Sequence, residues 1–222
     1  MRWLSSTAPS HSQTQALRVS PSARVTVEPP LAGTLADRRS PYKVFIATQS
    51  LLLVSAIGVP PAEIVTRAHA AGIKVGGMVG AVEHALRQRE AGVDIVIAQG
   101  HEAGGHTGEI ATMVLVPQVV EACAGKVAVL AAGGIARGSQ IAACLALGAQ
   151  GVWCGTVWLG TRESELDPFE KEVLFATRTE DAVRRKARTG KTVRMIKSRL
   201  SEIWEQPGSP KYLPTPLQGI LY

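Results

Sequence analysis

A chain of 222 residues with 45% hydrophobic but only 5% aromatic side chains can bury one aliphatic, alanine-rich core and does not require two domains. No apolar run approaches the ~20 residues that a membrane span needs, and Arg2 is followed by no apolar signal region, so a cytoplasmic protein without a membrane partner is expected. The net charge of +6 is local: residues 178–199 hold nine of the 24 Lys and Arg against only Glu180 and Asp181.

Residues 1–50 are rich in Ser, Thr, Pro and Ala, and their only strand-like run is Tyr42–Ala47. They read as an atypical, poorly ordered segment. From Leu51 the pattern changes. Five short apolar runs follow, Leu51–Ala56, Ile73–Val79, Val93–Ala98, Val127–Ala132 and Gly151–Cys154. Between them lie helix-period segments, Pro60–Ala71, Ala81–Ala91, Glu109–Ala124 and Ser139–Leu147. Each helix ends in glycine punctuation (Gly72, Gly92, Gly125, Gly148), as a tight turn into the next strand requires.

Strands that are apolar throughout, rather than alternating, imply a parallel sheet covered on both faces. A doubly wound sheet and a (β/α)8 barrel both satisfy this. Glycine or polar residues close successive strands at Gly58, Gly80, Gln99-Gly100, Gly133-Gly134 and Gly155-Thr156. Barrels collect their active site at that one end, and no Gly-x-Gly-x-x-Gly opens the first unit, so the α/β fold expected is the TIM barrel. Only five of its eight βα units are visible, so the barrel portion spans 51–177.

The densest chemistry is Gln99-Gly-His-Glu-Ala-Gly-Gly-His-Thr-Gly108, a bare loop between a strand and a helix. It carries His101, Glu102 and His106. His106, after two glycines, is the candidate base, and Glu102 is read first as a cap or orienting group. Gly133-Gly134 and Gly155-Thr156 end consecutive strands and together suggest a phosphate grip. His69 and His84 read as surface residues. Cys123, Cys144 and Cys154 lie in apolar surroundings without metal-ligand spacing, so free thiols and no metal are expected.

Ala98–Gly108, Leu130-Ala-Ala-Gly-Gly-Ile135 and Gly155-Thr156, in that order, resemble the nitronate monooxygenase family, formerly called 2-nitropropane dioxygenases. The resemblance is close from Leu51 to Glu163, and Pro216–Tyr222 also looks like part of longer members. It implies a barrel with noncovalent FMN and His106 as the base near the flavin. The phosphate would fall on Gly133, Gly134, Gly155 and Thr156, and the strand ends facing the flavin on Met78, Gln99 and Gly100. The implied reaction is oxidation of an alkyl nitronate by dioxygen to a carbonyl compound and nitrite. FMN-dependent enoyl reductases share the Glu-Ala-Gly-Gly-His loop, so an NAD(P)H-dependent reductase stays open as an alternative. The family's opening strand, with its Gln-Gly-Gly-Met-like loop, and its Asn-bearing third strand are absent. A non-catalytic fragment that associates through free sheet edges, as a homo-oligomer or with another partner, is therefore the third reading.

The remainder, 178–222, reads as a basic helical extension containing prolines. Arg184, Arg185, Lys186 and Arg188 lack interleaved aromatics, so a solvated helix face or an acidic partner is expected there and nucleic acid is not.

Overall fold

The computed structural model describes residues 52–214 and 217–221; the expectations for residues 1–50, with the Tyr42–Ala47 run, lie outside the described residues. From Leu52 the chain alternates β1 (Leu52–Ser55), α1 (Ala62–Ala70), β2 (Lys74–Val79), α2 (Val82–Glu90) and β3 (Ile95–Gln99). A two-residue strand, β4 (Gly105–His106), interrupts the pattern before α3 (Thr112–Cys123), β5 (Ala128–Ala132), α4 (Gly138–Ala146) and β6 (Gly151–Trp153).

The main sheet has the order β1-β2-β3-β5-β6, and every pairing in it is parallel. Ile97 lies opposite both Met78 and Leu130, and Ala131 opposite Val152. The strands therefore follow one another across the sheet in a single direction. A doubly wound sheet reverses at a switch point, whereas a barrel does not. Right-handed crossovers then put all the connecting helices on one face. The fold is a five-stranded portion of a (β/α)8-type barrel, as the five apolar runs imply.

Alternation along the strands sorts the side chains. Val96 and Ala98 of β3 and Val129 and Ala131 of β5 join one core cluster with Leu115, Val116 and Val119 of α3. Ile97 and Ala132 are also buried but stand outside that cluster. They alternate with its members and so occupy the opposite face, which in a barrel is the interior. Burying Leu115, Val116 and Val119 contributes about 1.5–3 kcal/mol each. Gly77 has no room for a side chain: a Cβ there would overlap the Gln88 amide. That amide is fully buried and donates to Gly58 O at 3.0 Å, tying α2 to the end of β1.

After β6 come α5 (Thr156–Leu159) and α6 (Pro168–Ala176). Asp167 caps α6 by accepting from Phe169 N at 2.8 Å, with Pro168 at the first helical position. The basic segment that follows is not helical, contrary to expectation. It forms β7 (Ala182–Arg185) and β8 (Val193–Ile196), an antiparallel hairpin, before α7 (Arg199–Ile203) and α8 (Leu217–Leu221). Two causes override the helix propensity of Arg and Lys. Gly190 takes φ +76° in the connecting turn, a conformation that ends a helix. And β8 finds a second partner, pairing antiparallel with β4 to make a separate sheet of order β4-β8-β7.

Candidate active site

Every site residue expected from the sequence lies at the C-terminal end of a strand or in the loop beyond it. Met78 is in β2, Gln99 ends β3, Gly133-Gly134 follow β5, and Gly155-Thr156 follow β6. Because β2, β3, β5 and β6 are consecutive neighbours, the sheet gathers all of these at one end. Gln99 is opposite Ala132 in register, which sets the β3 loop beside the Gly133 turn.

The loop from Gly100 to Ala111 is closed on itself. Gly100 N donates to Ala132 O at 2.9 Å and His101 N to Ile110 O at 2.9 Å. Glu102 Oε2 accepts from Thr112 N at 2.9 Å and from Thr112 Oγ1 at 2.7 Å. The carboxylate thus caps α3 from across the loop, which is why the helix starts at Thr112 rather than Glu109. Burial alone would raise the Glu102 pKa, but the two Thr112 hydrogen bonds, with smaller contributions from its own backbone N–H and from His101, together hold the group below its usual value. His101 Nδ1–H donates to Glu109 O at 3.2 Å, and its other nitrogen lies 4.0 Å from Glu102 Oε2.

Gly100 and Gly133 owe their bareness first to this packing. A Cβ on Gly100 would overlap the backbone and Oγ1 of Thr112. A Cβ on Gly133, which has φ +113°, would stand 2.6 Å from Thr112 Oγ1 and 3.1 Å from Gly100 O. Gly155 differs: nothing lies within 4 Å of the place its Cβ would take. A Cβ on Gly104 would be 3.3 Å from Thr156 Oγ1, so the β3–α3 loop comes up to the β6–α5 turn. Thr107 Oγ1, one residue past His106, is buried with no hydrogen-bond partner among the described residues.

His106 is held in β4 by pairing with Val193, and its Nε2 lies 2.9 Å from Thr189 Oγ1 in the hairpin turn. Although the residue is exposed overall, water lost from the ring is the main cause lowering its pKa below 6.5, followed by the Lys191 and Arg188 cations. The shift favours the neutral form of the imidazole. Arg184 anchors the same hairpin, donating to Gly108 O at 2.8 Å and pairing with Glu109 at 2.8 Å. Its hydrogen bond is the main cause holding the Glu109 carboxyl below its usual pKa.

Thr189 and Lys191 were not among the residues singled out from the sequence, and Arg184 and Arg188 were read there only as part of a solvated helix face or a surface for an acidic partner. A signal was present: Ala182-Val-Arg-Arg and Val193-Arg-Met-Ile flank a turn containing Thr189-Gly190, which is hairpin punctuation. The run of basic residues masked it.

A model of the family described as nitronate monooxygenase matches residues 41–219. The chain belongs to the nitronate monooxygenase family. It is 53% identical over 170 residues to the Mycobacterium tuberculosis protein named "Putative monooxygenase Rv1533", covering 77% of this chain and 45% of that protein. It is 35% identical over 159 residues to a Staphylococcus aureus protein named "Probable nitronate monooxygenase", covering 67% of this chain and 44% of the relative. Against curated family relatives such as these, the chain spans less than half of their length. Among solved structures, it is similar to nitroalkane oxidase from Streptomyces ansochromogenes, with a TM-score of 0.61 and 37% identity over 67% of this chain and 46% of that one. FabK from Thermotoga maritima gives a TM-score of 0.64 and 35% identity over 69% of this chain and 49% of its own.

Proposed function

We infer that this nitronate monooxygenase family chain carries the flavin-facing half of an FMN-dependent site that oxidises alkyl nitronates with dioxygen to carbonyl compounds and nitrite. The observation that carries the reading is the place of His106, on the loop after β3 at the end of the sheet where the glycine turns converge, with surroundings that favour its neutral form.

The residues present suit a phosphate and a flavin ring. Gly155 faces open space and adjoins the Thr156 hydroxyl, so an anion could approach backbone N–H groups there without a side chain in the way. Gly134, one turn along the sheet, has φ +70°, a conformation glycine adopts without strain. The unpartnered Thr107 hydroxyl is a group that a bound ring could satisfy; leaving it buried and unpaired costs about 1–3 kcal/mol. Met78, Gln99 and Gly100 would lie along the ring at the ends of β2 and β3. FMN, when bound, supplies the electron transfer from the nitronate.

The rest falls to the protein. His106 takes the acidic α-proton of a neutral nitroalkane, and the electron pair of that C–H bond passes into the nitronate anion. Lys191 and Arg188, in the turn beside His106, favour that anion over its neutral precursor. Glu102 is read as a cap and not as the base, because its Oε2 holds both donors of Thr112 at the start of α3. FabK shares the fold, but no observation here favours a nicotinamide-dependent reaction over nitronate oxidation.

The test is a visible spectrum of the purified protein, followed by turnover of a primary nitroalkane and of its preformed nitronate. Flavin absorption with nitrite release is expected. For His106→Ala, nitroalkane turnover should fall on the order of 10²–10⁴-fold while nitronate turnover changes far less. Equal losses on both substrates would show that His106 is a binding or folding residue.

A further inference from the structure

We propose that the cavity between the β7–β8 hairpin and the chain at 205–212 is an oxyanion site that takes a phosphate group, either free or as the end of a phosphomonoester. The site is separate from the glycine turns and does not rest on the reading of His106.

The hairpin and the segment after α7 form a cavity of about 280 Å³, lined by Arg184, Arg185, Lys186, Thr192, Glu205 and Tyr212. Three cations therefore face one carboxylate, and part of that charge is left over. Arg184 gives one nitrogen, Nη2, to Gly108 O and to Glu109, both at 2.8 Å. Arg185 Nη1 donates to the backbone oxygen of Arg184 at 3.3 Å. Its Nε stands 3.7 Å from Glu205 Oε1, too far for a hydrogen bond. Lys186 is exposed and pairs with no carboxylate among the described residues. Arg194 lies directly opposite Arg184 in the β7–β8 ladder, and like charges so placed repel.

The Nε–H groups of Arg184 and Arg185 are closed off from solvent, and neither has an acceptor. A buried donor on a charged group is destabilising when left unanswered, and native proteins leave few of them. Two on adjacent residues of one cavity wall point to an acceptor that the described residues do not supply. Glu205 Oε1 is already engaged, accepting the hydroxyl proton of Tyr212 at 2.7 Å. That hydroxyl adds no negative charge of its own, because burial and then Glu205 push its pKa up to about 12. Guanidinium forks match the oxygens of a phosphate, and Thr192 adds a hydroxyl to the same wall. Pockets that enclose a drug-sized ligand run to about 300–1,000 Å³. This one suits a phosphate with a small group attached, not a whole dinucleotide. Because Arg184 also holds Gly108 and Glu109, an anion in the cavity braces the hairpin against the end of the loop that carries His106.

The experiment is calorimetric titration of the full chain with inorganic phosphate at low ionic strength, with chloride at matched ionic strength as control. Saturable one-site binding is expected for phosphate and none for chloride; no saturable binding of phosphate overturns the site. Lys186→Gln and Arg185→Gln should each weaken phosphate by about tenfold or more, the scale of one charge-assisted hydrogen bond. Glu205→Gln keeps an acceptor for Tyr212 but removes the carboxylate charge, so it should tighten phosphate binding. Lys186 is exposed, so its variant decides even if Arg185→Gln fails to fold. Unchanged affinity in Lys186→Gln, or weaker binding in Glu205→Gln, would overturn the site. So would binding that is lost in Gly155→Ala and kept in Lys186→Gln, which assigns the anion to the turn after β6. Phenyl phosphate separates the two sources: tighter binding than inorganic phosphate names a phosphomonoester, and equal or weaker binding names the free ion. Amide exchange in β7 and β8 should slow in saturating phosphate, and exchange that does not slow would refute the bracing of the loop.

Discussion

Glu102 and Thr112 are joined twice, the carboxylate Oε2 accepting from both the backbone N–H at 2.9 Å and the hydroxyl at 2.7 Å. Glu102, an acidic residue of the loop that carries the candidate base, is consequently a helix cap. Glu102→Ala should destabilise the protein by about 1–2 kcal/mol, and Glu102→Gln, which keeps an acceptor, by less. Denaturant midpoints measure this. Nitroalkane turnover in Glu102→Gln should stay within about threefold of wild type, the scale of a contact outside the reacting atoms; a loss of the size expected for His106→Ala on that substrate would return Glu102 to the chemistry.

The pH dependence of nitroalkane turnover should report the environment of His106. Its pKa lies below 6.5, lowered first by burial and then by Lys191 and Arg188. Rate should rise with pH through an inflection displaced to the acid side of an ordinary histidine and level off above it. Lys191→Gln removes one repelling cation, so the inflection should move upward toward 6.5. Movement downward would show that the lysine acts on something else.

Asp94 sets an acid limit on stability. Its Oδ2 accepts from Val75 N and from His69 Nε2–H, both at 2.8 Å, and its Oδ1 from Lys74 at 2.8 Å. Burial pushes its pKa up, but Lys74, Val75 and His69 together bring it down to about 2 from 3.8. A folded pKa below the unfolded one stabilises above pH 3.8, and the contribution disappears as pH falls toward 2. Asp94→Asn should cost about 1–2 kcal/mol at pH 7, allowing for solvent screening, and almost nothing near pH 2. Thermal melts of both proteins across that range check it.

Gly100→Ala should be more damaging than its size suggests. The added methyl meets the Thr112 backbone at the start of α3, which cannot swing aside as a side-chain tip would. Overpacking of this kind costs about 1–3 kcal/mol. Gly155→Ala meets nothing within 4 Å and should leave the melting temperature close to wild type while weakening flavin binding. Equal flavin affinity in Gly155→Ala would remove that turn from the phosphate site.

The parallel sheet was legible because each strand-helix unit satisfies itself locally: Ile73–Val79 and Val93–Ala98 are apolar throughout, and the glycines that end α1, α2 and α4 adopt φ of +72°, +83° and +93°. His106 and the glycine turns were legible for the same reason, since strand ends in such a sheet fall at one face. The hairpin was not. Whether Val183 and Val193 extend or coil depends on a pairing between His106 and Val193 that no local window contains. The helix ending at Cys123 shows a smaller failure of local rules: Ala124 itself enters the left-handed region, at φ 50°, before Gly125 does.

The hydrogen bond between His106 and Thr189 spans 83 residues of chain, whereas successive strands of the main sheet are separated by one βα unit. Loop-closure entropy makes so distant a contact form after the local units. The barrel portion and its reactive loop therefore belong to different tiers of cooperativity. Undocking of the hairpin is expected to break the β4–β8 pairing and free the imidazole while the parallel sheet persists. Amide hydrogens of β2, β3 and β5 should exchange slowly and together, and those of β4, β7 and β8 faster, as a second group. If the second group exchanges ahead of the first, the surroundings of His106 answer to a part of the molecule that opens before the sheet does.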